Sequence, residues 1–445
     1  MLMTMAREEK KAYRESLEIP QRDSGEPGWV RKRREEAFRR FGGKEFPTRR
    51  EEDWRTMDLG MVLDHAFRPA GEPVDEASLQ GLIHPLAMDP GEARLVFVDG
   101  YFSRKLSRAK PLAEGVILKN LSTALREDHG MIEPYFRFSD GDAGIFWDIN
   151  EFSFNDGAFL YVPPRVSIDL PIDFIFMASG QGLEPFVFYP RSLVVLGKGA
   201  KVRLVTHGIG TARTPYFMNA VLSIFAGEGS RISWIDLQAG SGQTRQFLHV
   251  DISLERGSSL EAVLLHGGGG LTRTDLRVDL NGEESSVLLK GLGLLKQDHE
   301  LYQHITVNHN APFTTSRQHF RNILVEKARS EYDSLVQVRT GAIKADSNQL
   351  NKNLVLSPDA RAYTRPRLRI DADDVKCTHG TTVGQLEEGE KFYLKTRGLD
   401  ERTAGVVLTH AFAAEILEGL PPGKMRLGAE SEVRHRLEGM IGAAS

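Results

Sequence analysis

Cys377 and His379, in the run Asp371-Ala-Asp-Asp-Val-Lys-Cys377-Thr-His379-Gly, are the side chains of this sequence best suited to hold a metal or move a proton. If Val375 to Thr381 is extended, residues two apart project from one face, so a thiol and an imidazole stand side by side. Iron and zinc both accept those ligands. An iron–sulfur cluster generally takes about four protein ligands. Cys377 is the sole cysteine, so the rest of such a site must come from another chain. A plainer description, a small buried cysteine beside a hydrogen-bonded histidine, fits the same residues, and residue preferences alone favour it. A single cysteine also excludes an intramolecular disulfide and a closed C-x-x-C zinc or redox site, and fits a reducing compartment.

Other candidates carry less. His299, His304 and His309 recur every five residues and His319 follows, but five is an odd step that turns strand neighbours to opposite faces, so surface or coil-turn histidines are expected rather than a metal cluster. Arg31, Lys32, Arg33, Arg34, Arg39 and Arg40 are interrupted by Glu35 and Glu36 and lack interleaved aromatics, the pattern of a solvated helix face rather than a nucleic-acid site. Gly419 to Met425 has the wrong spacing for a phosphate loop and lacks its hydroxyl, so no nucleotide is expected on this chain. Gly267 to Gly270 reads as a turn between strands, and neither H-E-x-x-H nor G-x-S-x-G occurs. Asp371, Asp373 and Asp374 are the one carboxylate set that a carbohydrate-active β-helix enzyme would offer.

The elements that must position these residues are legible in outline. The chain has 445 residues, 40% apolar and 27% charged, enough for roughly two to four domains. A net charge of -4 gives no global field for nucleic acid or anionic membrane. The charged stretch Glu8 to Lys11 has no apolar core behind it, and no apolar run approaches the roughly 18 residues that cross a bilayer. A cytoplasmic protein with no membrane partner is the expectation. Thr4 to Ile19 and Trp29 to Phe41 suit short amphipathic helices. From about Arg94 to Ile370 short β-branched and aromatic runs alternate with glycine turns. Gly199, Gly229, Gly257 and, more loosely, Gly282 each open a strand, at spacings of 30, 28 and 25 residues. Stacked β coils give that pattern, and a β-sandwich is the alternative. Glu387 to Arg397, a helix capped by Asp400 and running to Leu420, and Ala429 to Ile441 form a C-terminal helical part. The stripe Ala404, Val407, Leu408, Ala411, Phe412, Ile416 and Leu420 is its expected buried face.

Asp373-Asp374-Val375-Lys376-Cys377-Thr378-His379-Gly380, Thr382 to Leu386, Phe392-Tyr393-Leu394 and Arg397-Gly398 closely resemble the C-terminal signature of SufD-like members of the SufB/SufD family, subunits of the SufBCD iron–sulfur cluster assembly complex. Glu51 to Arg55, Leu95 to Ser103, Asp156 to Ala158 with Tyr161 to Pro163, and Asn348 to Leu354 extend the resemblance over most of the chain. Thr378 and Thr381 replace the more usual serine and alanine, and neither change removes a ligand. The resemblance implies a mainly β chain: a right-handed parallel β-helix core (91–384) flanked by small N-terminal (1–90) and C-terminal (385–445) helical domains. It implies a non-catalytic scaffold that pairs with a SufB-like paralogue and docks a SufC-like ATPase, here through Phe392, Tyr393 and Arg397. A transient iron–sulfur cluster would form at the heterodimer interface, with His379 and Cys377 as ligands shared with the partner chain. Homodimerisation in isolation and a purely structural role stay open alternatives. The absence of any further cysteine sets the chain apart from the SufB-like paralogue.

Overall fold

The computed structural model describes residues 13–14, 17, 19, 25–71, 79–83, 93–108, 112–136, 144–180, 184–211 and 213–444. Most of the helix expected over Thr4 to Ile19 lies outside them.

The core is a β-solenoid of about 7 turns. Successive strands alternate between two sheets, so within each sheet the long strands are parallel and every neighbour is one coil away. One sheet ends at Arg361–Ile370 and the other at Lys376–Gly384. Register is strict: Lys201, Arg231, Ser259, Ser286, Thr315, Asp346 and Lys376 stand in one column. Because side chains alternate across a strand, every second column points into the lumen between the sheets. One such column runs Leu204, Trp234, Ala262, Leu289, Gln318, Gln349, His379. Its first four members belong to the main apolar core, each large one adding roughly 1.5–3 kcal/mol by its burial. Toward the last coils the lumen turns polar: Gln318, Asn322, Gln349, Asn351 and Asn353 are all buried. Asn322 donates to Asn353 at 3.0 Å and Asn353 to Asn351 at 2.7 Å, while Gln318 accepts from the hydroxyls of Tyr332 and Ser334 and Gln349 donates to Ser334.

The recurring turn is a left-handed corner. Gly199, Gly229 and Gly257 have φ of 69°, 64° and 61°, and the column then continues through Glu284, Phe313, Lys344 and Asp374 at 62°, 58°, 59° and 55°. Glu284, rather than Gly282, is therefore the fourth corner. Gly282 is needed for a different reason: a Cβ there would lie 1.8 Å from the Arg256 backbone nitrogen. Each corner is tied to the next, the N–H of Gly199 donating to Glu228 O and that of Gly229 to Arg256 O, both at 2.8 Å. The same kind of bond holds the later corners, Glu284 N–H donating to Pro312 O at 3.3 Å and Phe313 N–H to Ile343 O at 3.0 Å, where a side chain costs roughly 1–2 kcal/mol in this conformation.

The two ends of the solenoid differ. At the start, short reversed strands close the ladders: Tyr101–Phe102 runs antiparallel to Ala93–Val98, and Ile117–Asn120 antiparallel to Ala158–Val162. At the far end Arg361–Ile370 and Lys376–Gly384 are each paired along one side only among the described residues.

Helices cover the outer faces. Gly28–Gly42 packs on Gly144–Ser153 over the first sheet, in a cluster holding Phe41, Phe146, Phe152, Phe217 and Phe247. The basic run on Gly28–Gly42 is only partly a solvated face. Arg34 is buried, donates to the carbonyls of Phe152 (2.8 Å) and Phe154 (3.0 Å), and lies 3.7 Å over the Phe154 ring. Arg40 pairs with the buried Asp148 and Glu151. On the second sheet, Glu401–Leu417 and Lys424–Ala444 bury Ala413, Ile416, Leu417, Val433 and Leu437 against Leu292, Leu294 and Ile323. Asp400 caps the first of these helices by accepting from the Thr403 N–H at 2.7 Å. The buried face runs Ala404, Gly405, Thr409, Ala413, Ile416, Leu417, while Val407 and Ala411 are exposed. The expected stripe was rotated because this helix is apolar on nearly all sides and its own pattern does not choose a face. The last helix begins at Lys424, earlier than Ala429. Gly267–Gly270 is the expected turn, between Ser259–His266 and Leu271–Leu280. No helix is long and apolar enough to cross a membrane among the described residues.

Candidate functional site at the open end

Cys377 and His379 both lie on Lys376–Gly384, the outermost strand of its sheet. Cys377 is in register with Ser347 and His379 with Gln349, two buried lumen positions, so the two candidates do share one face. Cys377 is half-buried against the end of the apolar core, and His379 is exposed. Lys376 N–H donates back to Ala345 O at 2.9 Å. By alternation along the strand, Cys377, His379, Thr381 and Val383 turn their own N–H groups toward the open edge.

Behind the thiol stands a row of hydroxyls. Ser316 Oγ is bonded to Ser347 Oγ at 2.8 Å, and His309 Nε2 lies 2.9 Å from Ser316 Oγ with Nδ1 2.7 Å from Thr314 Oγ1. Burial holds His309 down at about 4, so it is neutral near pH 7. Burial, and then the Asp346 carboxylate, pushes the Cys377 thiol up, partly offset by the Ser347 N–H. Alone, the cysteine rests as a thiol. A cation brought by a partner is the change that favours thiolate. Among the described residues no third histidine, cysteine or carboxylate joins Cys377 and His379 at ligand distance.

His299 stands at a coil turn, as expected, and none of His299, His304 and His309 is a surface group. His299 is 5% and His309 0% exposed, and the His304 side chain only 11%. The odd spacing does send His304 outward under the N-terminal segment and His309 into the lumen, but both faces of these coils are covered. Asp371, Asp373 and Asp374 occupy the corner before the last strand, with Asp371 3.4 Å from Arg369 and Asp374 paired with Lys344.

Phe392 and Tyr393 are 68% and 57% exposed on Glu388–Thr396, a helix with no buried residue. Arg397, its C-cap, stacks over the Tyr393 ring at 5.2 Å. The missed neighbours of the site, Ser316, Ser347 and Gln349, were findable only from the coil register that places Ser347 beside Cys377.

Two family models account for most of the chain. One, described as the SufBD core domain of the SUF system for FeS cluster assembly, matches residues 176–412, and the SufBD N-terminal region matches 10–174. The chain belongs to the SufBD family. It is 30% identical to an iron–sulfur cluster assembly SufBD family protein of Synechocystis, over 86% of this chain and 85% of that one. It is 27% identical to the iron–sulfur cluster assembly protein SufD of Escherichia coli over 88% of this chain and 90% of that protein. Against SufD of Bacillus subtilis the identity is 24%, over 69% and 71%. The core match takes in six of the last strand's lumen predecessors, and it ends within the C-terminal helices; this SufBD chain thus carries its open end inside the SufBD core region.

Proposed function

We propose that this chain is the SufD-type, non-catalytic scaffold subunit of a SufBCD-type complex. In this reading its open end pairs with a SufB-like paralogue and its C-terminal helices dock a SufC-like ATPase. The nascent iron–sulfur cluster is the cargo, formed at the interface with His379 and Cys377 contributing ligands that the partner completes. Family membership supports the assembly role, and the half-paired strand bearing both side chains is the observation that carries the site. Unpaired N–H and C=O groups on a long terminal strand are a template for another strand. One thiol and one imidazole supply about half of the ligands that a cluster takes. Phe392, Tyr393 and Arg397 form the ATPase contact, since two large exposed aromatics on a helix that buries nothing of its own mark a binding surface.

The test is co-expression with a SufB-like and a SufC-like protein, purification through a tag on this chain, and anaerobic reconstitution followed by absorption and Mössbauer spectroscopy. His379→Ala is expected to lower the cluster held by an intact complex. Unchanged cluster content would sink the site assignment. Failure of the wild-type chain to retain either partner would remove the scaffold reading itself.

A further inference from the structure

A second convergence of ligand-type side chains lies on the other sheet, beneath the N-terminal segment. Asp275, His304, Asp333 and Arg365 stack in register on its outer face. Asp53 reaches over from the short turn Glu52–Trp54, and the ligand atoms of Asp53, His304 and Asp333 all lie within 4.8 Å of one another. Glu331 adds a carboxylate, its Oε1 3.0 Å from His304 Nε2, yet that nitrogen makes no hydrogen bond of good geometry. Asp333 is 1% exposed, whereas Asp53 is open to solvent, which leaves a path of entry.

Asp333 is paired with Arg365 and Arg367, and Glu331 lies between His304 and the Thr56 hydroxyl. Both of these carboxylates are buried, whereas Glu52 and Asp53, which also touch Arg365, are open to solvent. Arg273 is paired with Asp275 at 2.8 Å and donates to the Asp53 carbonyl at 3.0 Å. An imidazole with two or three carboxylates is a donor set for a first-row divalent ion such as manganese, iron or zinc. Arg365 stands where such an ion would sit, touching Asp333 and Asp53 together, and it also touches Glu52, which remains as its partner if it swings aside.

We propose that Asp53, His304 and Asp333, with Glu331 beside them, form a divalent transition-metal site that fastens the Glu52–Trp54 turn to the solenoid. Arg365 is the resident counter-ion that the metal displaces. The site is separate from the open end, being built on the opposite sheet, and needs no partner chain.

Manganese(II) is the probe, added to the full-length chain stripped with chelator, with free ion followed by electron paramagnetic resonance. The expected result is stoichiometric binding, weakened roughly tenfold or more by His304→Ala or Asp333→Asn. Arg365→Ala is expected to tighten binding, an outcome that a purely structural salt-bridge network would not give. The double variant Cys377→Ser, His379→Ala is expected to bind as wild type does. Circular dichroism checks folding, and His304→Gln replaces any variant that does not fold. No binding by either wild type or Arg365→Ala overturns the proposal. So does binding that survives both His304→Ala and Asp333→Asn.

Discussion

Arg34 is a charged residue that behaves as part of the core. Its side chain is 1% exposed, meets Glu26 at 2.9 Å and donates to two buried backbone carbonyls, those of Phe152 and Phe154. Removing one partner of a buried ionic contact leaves the others desolvated and unpaired. Arg34→Ala should therefore cost roughly 3 kcal/mol, read from urea unfolding, whereas Arg39→Ala on the exposed side should change little. The sequence places both in one basic run and offers no way to separate them, because the selection is made by Phe152 and Phe154 more than a hundred residues on. The open-end pair was more legible. Two residues apart on a strand means one face whatever the strand packs on, and that reasoning holds for Cys377 and His379. What lies behind them, Ser347 and then Ser316, depends on coil lengths that no local pattern encodes.

The strand Lys376–Gly384 sets the second scale. With the N–H of Thr381 turned outward, Thr381→Pro keeps the bonds to Asp346–Val355 and spoils those offered to another strand. The expected outcome is a chain of nearly unchanged melting temperature that no longer co-purifies with a SufB-like partner; retained pairing would show that the edge is not the contact. The helix Glu388–Thr396 gives a parallel case. Replacing Phe392 and Tyr393 by aspartate should abolish ATPase co-purification without destabilising the fold, since neither side chain is buried. Alternating apolar patterns revealed strands well in the early coils, where Leu204 and Trp234 fill the lumen. They failed as a guide to burial in Asp346–Val355, where Gln349, Asn351 and Asn353 point inward and read as surface residues. Glycine marked the first three corners for the same local reason, and the corner column then passed to Glu284, Phe313 and Lys344, which carry no turn signal, and to Asp374, whose residue type suits the corner.

At the scale of the whole molecule, buried ionisable groups set a pH response. Burial lowers His249, His266 and His309 to about 4, and raises Asp236 to about 6. Between roughly pH 6.5 and 4 the unfolded chain takes up protons on these histidines that the native chain refuses, so stability falls as pH falls. Asp236 has the opposite sign, since the native carboxyl keeps its proton up to about 6. Burial moves Asp99, Asp156 and Glu300 the same way as Asp236, and His299 and His319 the same way as the other histidines. The ordinary histidine value lies inside the interval from pH 7.5 to 5 and the ordinary carboxyl values lie below it, so the histidines dominate there and the melting temperature is expected to be lower at pH 5 than at pH 7.5; a higher value at pH 5 would contradict the burial of these histidines. The order of helical, β and helical parts could be read from texture alone, and the unlike ends of the solenoid could not. That asymmetry has a consequence for assembly. A stack of strands exposed at both ends would propagate, copy upon copy, into a fibre. Here the short reversed strands at Tyr101–Phe102 and Ile117–Asn120 interrupt the parallel stack at one end, so among the described residues the long parallel edge lies at the other, and a pairing made through it would use that edge up in each member.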